Sequence, residues 1–197
     1  MKKLLSMLMN QKVETIPLTV VGSPTIQDGV VSGFSSSDYL SVSIPVNFDT
    51  YELIANFNVS TINTQQAVIM GTYGQGSLGI EITSNNKVLF RVTFYDTNNA
   101  QKYKEIKTTQ SITTNTWYSA KAYLNRITFE VSLYLYDNNG NLIESVNSSV
   151  FTNFSSWYNI VQLNVGYNFQ RGIFAGEINI PKCSVAINGT KYIFTLP

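Results

Sequence analysis

The sequence contains no histidine and a single cysteine, Cys183. Without histidine there is no Ser-His-Asp triad, no Cys-His pair and no histidine-based zinc site, so the commonest hydrolytic designs are excluded. One cysteine cannot close an internal disulfide and supplies at most one thiolate to a metal. Cys183 reads instead as a small apolar filler near the end of a strand. Charge is scarce as well: 13 Lys and Arg stand against 12 Asp and Glu, a net charge of +1, and the charged fraction of 13% is about half that of an ordinary soluble domain. So neutral a surface offers no electrostatic footprint for nucleic acid. No apolar run approaches the ~20 residues that a helix needs to cross a bilayer, and no glycine-rich phosphate loop stands at a strand-to-helix turn.

The chain is instead rich in amides, hydroxyls and rings. It holds 21 Asn, 20 Ser and 19 Thr, with 12 Tyr and 11 Phe among many Val and Ile. These are residues favoured on pleated, half-buried surfaces and in the turns between them. At 197 residues the chain fits one domain, and a domain of that size buries about 70% of its unfolded surface, enough for a core without staples.

Alternation locates the strands. In "YELIANFNV", Tyr51, Leu53, Ala55, Phe57 and Val59 share one face and Glu52, Asn56 and Asn58 the other, with Ile54 as the exception. Leu78, Ile80 and Ile82, then Val88, Phe90, Val92 and Phe94, flank the turn "TSNNK" as a hairpin, and "FEVSLYLYDNNGNLIESV" gives another around Asp137 to Gly140. Further strands are expected at 19–21, 39–44, 68–73, 162–167, 176–180 and 192–196. About a dozen short strands without an internal helix or a repeat predict an all-β fold, two packed antiparallel sheets.

The start, "MKKLLSMLMNQK", has Lys2 and Lys3 before a short apolar run that Ser6 interrupts and Asn10 ends. It is too short for a secretory signal and lacks a small-residue cleavage site. Leu4, Leu5 and Leu8 at helical spacing make residues 1–12 a candidate docking segment ahead of a sandwich at 13–197; packing on its own domain is the alternative.

Candidate chemistry is sparse. The acids are mostly isolated or in turns, and nowhere do two share a strand face at i and i+2, the pattern that glycan hydrolysis by paired carboxylates would favour. Asp96 with Asn98 and Asn99, and Asp137 with Asn138, Asn139 and Asn141, have oxygens suited to calcium, although such stretches more often bond their own backbone as turns. "GTYGQGSLG" at 71–79 reads as a hairpin loop in which Tyr73 is placed to stack on a sugar ring.

Five stretches, "SGFSSSDYLSVSIP", "YELIANFNV", "NTWYSAKAYL", "LNVGYN" and "IFAGEINI", resemble in order the laminin-G-like members of the concanavalin A-like lectin and glucanase superfamily, over residues 25–196. The resemblance implies a jelly-roll sandwich whose concave face or rim loops bind carbohydrate. Enzymatic members carry Glu and Asp at alternate positions of one strand, a pattern missing here, so glucanase activity does not transfer. It also implies that Trp117 and Tyr118 open a strand with one ring inward and one at the rim. Large rings pack in cores by default, so Trp117 reads as structural and Tyr118 stays a carbohydrate candidate. Trp157 and Tyr158, in the Ser-rich "SSWYNI", are the preferred stacking pair.

Low charge, abundant Asn, Ser, Thr and Tyr and the short apolar start resemble virion proteins of tailed bacteriophages. The expectation is a non-enzymatic virion protein, a capsid decoration, head fibre or tail appendage, without a cofactor. Its partners would be other virion proteins and host-surface glycans. A secreted lectin module is the alternative, and a glycan hydrolase ranks third.

Overall fold

The computed structural model describes residues 12–44, 48–61, 66–72, 78–158, 162–168 and 172–197. Among them two sheets, of ten and eight strands, face each other across one core, with a two-stranded ribbon of Tyr167–Asn168 and Gly172–Ile173 beside them. The all-β sandwich expected from the alternation is what forms, and the one helical element described is a 3-10 turn at Ile180–Lys182.

Thr50–Val59 is the middle of the ten-stranded sheet. On one side it pairs antiparallel with Trp117–Asn125, followed by Glu130–Tyr136 and then Leu142–Ser148 at the edge. On the other side come Ser184–Ile187, Thr190–Thr195 and, at the far edge, Val13–Pro17. That last pairing is parallel, with Val13 opposite Lys191 and Pro17 opposite Thr195, so the sheet is not wholly antiparallel. The eight-stranded sheet runs Gln101–Lys107, Val88–Asp96, Leu78–Ile82, Ala67–Thr72, Gln162–Val165, Tyr39–Ser43 and Thr19–Val21, and Phe154–Trp157 pairs with the end of Val88–Asp96.

The period-2 pattern sets the core. Tyr51, Leu53, Ala55, Phe57 and Val59 are all buried, as are Tyr118, Ala120, Ala122 and Leu124 on the neighbouring strand. The register puts Ala55 opposite Ala120 and Phe57 opposite Tyr118, so small and large residues alternate along the row, as interdigitating layers require. Phe57 meets Phe174 edge-on at 6.4 Å between ring centroids.

Elsewhere the alternation misleads. Every residue of Leu78–Ile82 is buried, and all but Tyr95 of Val88–Asp96. The face away from the core holds a buried ion pair, Arg91 Nε to Glu81 Oε1 at 3.2 Å, and Arg91 also reaches Glu105 at 2.6 Å and donates to the Gln66 side chain at 3.0 Å. A charged residue inside a strand is therefore no sign of a wet face when a partner is in reach.

The two Asx-rich stretches are turns. Asp137 Oδ1 accepts from the backbone N–H groups of Asn139 and Asn141, and Asp96 Oδ1 from those of Asn98 and Ala100. Among the described residues no three His, Cys, Asp or Glu gather as a metal cage. Cys183 is buried, and burial pushes its thiol up to about 12, offset in part by the Asn56 N–H it accepts.

Hydrogen bonds hold four carboxyl groups below the ordinary range: Asp38 chiefly through Ser35, Asp96 through the Ala100 N–H, Asp137 through the Asn141 side chain and Glu144, against the desolvation that would raise it, through the Gln110 and Thr109 N–H groups. A folded-state pKa below the unfolded value gives stability that is complete above the unfolded value and lost as pH falls through the folded one. Tm is therefore expected to be flat from about pH 7 to 5 and to fall below about pH 4, with Asp137→Asn showing a shallower acid slope. A Tm that does not change down to about pH 2.5 would contradict this.

Candidate functional site

The residues marked by the sequence do not all meet. Tyr118 is buried against Phe57 at 6.3 Å, and its hydroxyl accepts the Thr113 N–H at 3.1 Å. It offers no face to a ligand, so the carbohydrate-binding expectation at this position is corrected: in the Trp-Tyr pair Tyr118 is the inward ring. Trp117, the first residue of the same alternation, takes the outer face and stays half-buried. Tyr73 and the docking leucines Leu4, Leu5 and Leu8 lie outside the described residues.

Trp157 and Tyr158 do sit together at a surface, Trp157 as the last residue of a strand and Tyr158 just after it, not both in a Ser-rich loop. Phe154–Trp157 adds to Val88–Asp96 with Trp157 opposite Phe94 and an irregularity between Phe154 and Ser156. Tyr158 stacks on Tyr95 at 5.7 Å. Around Trp157 is an aromatic cluster where the chain crosses from one sheet to the other: Phe154 at 4.7 Å, Phe151 at 5.2 Å and Phe129 at 5.5 Å, with Phe94 behind them, 5.2 Å from Phe151. Phe129 reaches it from the turn after Trp117–Asn125, in the left-handed region at φ 59°. That conformation is strained for an aromatic residue and persists only where packing over-determines it; three ring contacts do so here.

The same turn delivers Arg126. Asn125 Oδ1 accepts the N–H groups of Ile127 and Thr128, and the Arg126 N–H donates to Asp49 O at 2.7 Å, which fixes the turn against the chain before Thr50–Val59. The guanidinium lies over Phe48 at 3.7 Å and 5.5 Å from the centroid of Trp157, and donates to Tyr158 O at 3.0 Å. Its Nε is buried with no hydrogen-bond partner among the described residues. Burial draws the group down to about 10, with Asp49 opposing, so Arg126 stays cationic at neutral pH.

Trp157, Arg126, Asp49, Phe48, Ile127 and Asn188 line one groove of about 410 Å³. Asn188 Oδ1 is occupied by the N–H groups of Asp49 and Thr50, so it props the rim. The groove thus presents a half-buried indole, a planar cation and one carboxylate. An indole takes the C–H face of a ring, while a guanidinium and a carboxylate donate to and accept from hydroxyls. Arg126, Asp49 and Phe129 are not singled out by the sequence: the polar turn "LNRIT" is legible, but nothing local tells that it meets residue 157.

No protein-family model matches this sequence, and no curated protein matches it either. Solved structures do share its fold. The binding domain of botulinum neurotoxin serotype G is 13% identical, with a TM-score of 0.60 over 87% of this chain and 43% of that one. The enzymatically active domain of tailspike protein 2 of bacteriophage CBA120 is 10% identical, with a TM-score of 0.62 over 91% of this chain and 30% of that one. The binding domain of botulinum neurotoxin DC, solved in complex with SialylT, is 14% identical, with a TM-score of 0.58 over 88% of this chain and 43% of that one. The chain spans less than half the length of each. At such identities the likeness shows the fold, a two-sheet β-sandwich, and nothing finer.

Proposed function

We propose that this chain is a non-catalytic, glycan-binding β-sandwich of a bacteriophage particle, of the laminin-G-like, concanavalin A-like type, and that it holds a sugar ring against Trp157 in the Arg126 groove. One observation carries the reading: a half-buried indole, braced by three phenylalanines, shares a groove with a desolvated guanidinium and a carboxylate. Desolvation makes each hydrogen bond in such a groove stronger than on open surface. The likeness to a phage tailspike protein and to toxin binding domains supports the setting.

A non-catalytic role is supported by the acids. The Trp157 groove is lined by one carboxylate, Asp49, whereas glycoside hydrolysis ordinarily needs two flanking one bond. The particle role assigns docking on other virion proteins to residues 1–12. Particles assembled with protein lacking residues 2–10 are then expected to lose it, and unchanged incorporation would refute docking.

For binding, the test is titration of host-surface polysaccharides into wild type, Trp157→Ala and Asp49→Asn. Trp157→Ala is expected to weaken binding about tenfold, the equivalent of roughly 1.4 kcal/mol. Asp49→Asn leaves the aromatic cluster intact and separates binding from folding. Wild-type affinity in both variants would reject the groove.

A further inference from the structure

A second groove, of about 390 Å³, opens on the other flank of the aromatic cluster. Its floor is apolar, Phe94 and Phe151 with the exposed Val150 beside them. Its rim is cationic, Lys102 and Lys104 from the edge strand Gln101–Lys107. The register places Lys102 opposite Phe94 and Lys104 opposite Val92, so both lysines leave the strand on the side of those inward residues. Tyr103 and Glu105 leave on the other, where Glu105 meets Arg91.

The charges in this groove are unequal. Asp96 is its one carboxylate: Oδ1 accepts two backbone N–H groups of its turn, and Oδ2 faces Lys102 at 3.6 Å. Lys104 has no carboxylate partner among the described residues. One ammonium therefore remains unneutralised above an aromatic floor, which suits a ligand with an apolar ring face and an anionic substituent.

The two grooves also share a wall. Phe151 lines this one, its ring is 5.2 Å from Trp157, and Trp157 lines the other. We propose that the Lys104 groove is a second subsite for a carboxylated sugar, so that the glycan held at Trp157 is an acidic one whose uronate or sialate residue pairs with Lys104 over Phe151. This rests on the glycan reading of the Trp157 groove and adds the chemical class of the ligand.

The experiment is calorimetric titration with oligosaccharides of galacturonate, of glucuronate and of sialate, each beside its neutral methyl ester, so that charge alone differs within a pair. At least one free acid is expected to bind about tenfold more tightly than its ester at low salt, with the gain shrinking at high salt as screening shortens the reach of the pair. Lys104→Gln is expected to abolish that gain and leave ester binding unchanged, while Trp157→Ala weakens acid and ester alike. Lys104 is half-buried on an edge strand, and a retained melting temperature checks that the variant folds. Esters that bind as tightly as acids, or an acid preference that survives Lys104→Gln, would overturn the second subsite alone. Absence of binding by every acid and ester would overturn it together with the glycan reading.

Discussion

Replacing Phe57 by alanine is expected to lower the unfolding free energy by about 3–5 kcal/mol, the cost of deleting a buried aromatic ring and leaving a cavity. Phe57 is fully buried in the central strand of the ten-stranded sheet, between Tyr118 and Phe174. Its neighbours cannot close the gap: Tyr118 is tied by its hydroxyl to the Thr113 N–H, and Gly176, packed against the Phe174 ring, already sits where an added methyl would clash with Asn58 O. Loss of this size is a large part of the 5–15 kcal/mol that holds a typical domain. Denaturant unfolding measures it, and a loss below about 1 kcal/mol would show that the two sheets collapse together after all.

Arg91→Ala is expected to cost a comparable 3–5 kcal/mol, for an electrostatic reason. Glu81 has no exposed surface and Arg91 is 4% exposed. Removing the cation takes away the Nε donor 3.2 Å from Glu81 and strips Glu105 and Gln66 of their partner, while the carboxylate of Glu81 stays where water does not reach. Breaking one side of such a pair is worse than replacing both sides with shapes that fill the space. The double variant Glu81→Gln/Arg91→Met is therefore expected to be more stable than Arg91→Ala, a non-additivity that a double-mutant cycle reads directly. Equal loss in the two would mean that packing and not charge sets the cost.

How much of this was legible in the sequence follows from what local pattern encodes. Alternation in Thr50–Val59, Ile54 apart, marked its inward face, and the polar turns at Thr83 to Lys87 and Asp137 to Gly140 marked the hairpins of Leu78–Ile82 with Val88–Asp96 and of Glu130–Tyr136 with Leu142–Ser148. Missed were short strands whose signal lay in the turn instead of the strand. Asp28-Gly29 and Asn188-Gly189 both adopt positive φ, at 51° and 80° and at 49° and 81°; the first joins Thr25–Gln27 to Val30–Ser32, both missed, and the second joins the missed Ser184–Ile187 to Thr190–Thr195, which was expected at 192–196. Such Asp-Gly and Asn-Gly pairs are the strongest short-range hairpin sign available. The expected positions of Trp117 and Tyr118 were exchanged because an aromatic pair at a strand entry fits either phase, and the register with Thr50–Val59 decides between them.

The candidate site was legible only in part, for a topological reason. Trp157 stood out as a ring in a polar stretch. Its companions come from residues 48, 49, 126, 129 and 151, brought together by two sheets and the crossing between them, and no spacing rule connects positions so far apart. Lys104 has a local explanation of its own, because on an edge strand lysine commonly guards against aggregation, and that it shares a groove with Phe151 is set by the tertiary fold.

The sequence has two tryptophans, Trp117 and Trp157, so the central claim has a direct readout in the two indole N–H resonances of a nitrogen-labelled sample titrated with acidic and neutral host-surface oligosaccharides. The account predicts that the Trp157 resonance shifts saturably while that of Trp117, on the outer face of the opposite sheet, stays in place. A shift of Trp117 alone, or no shift of Trp157 across the glycans, would contradict it.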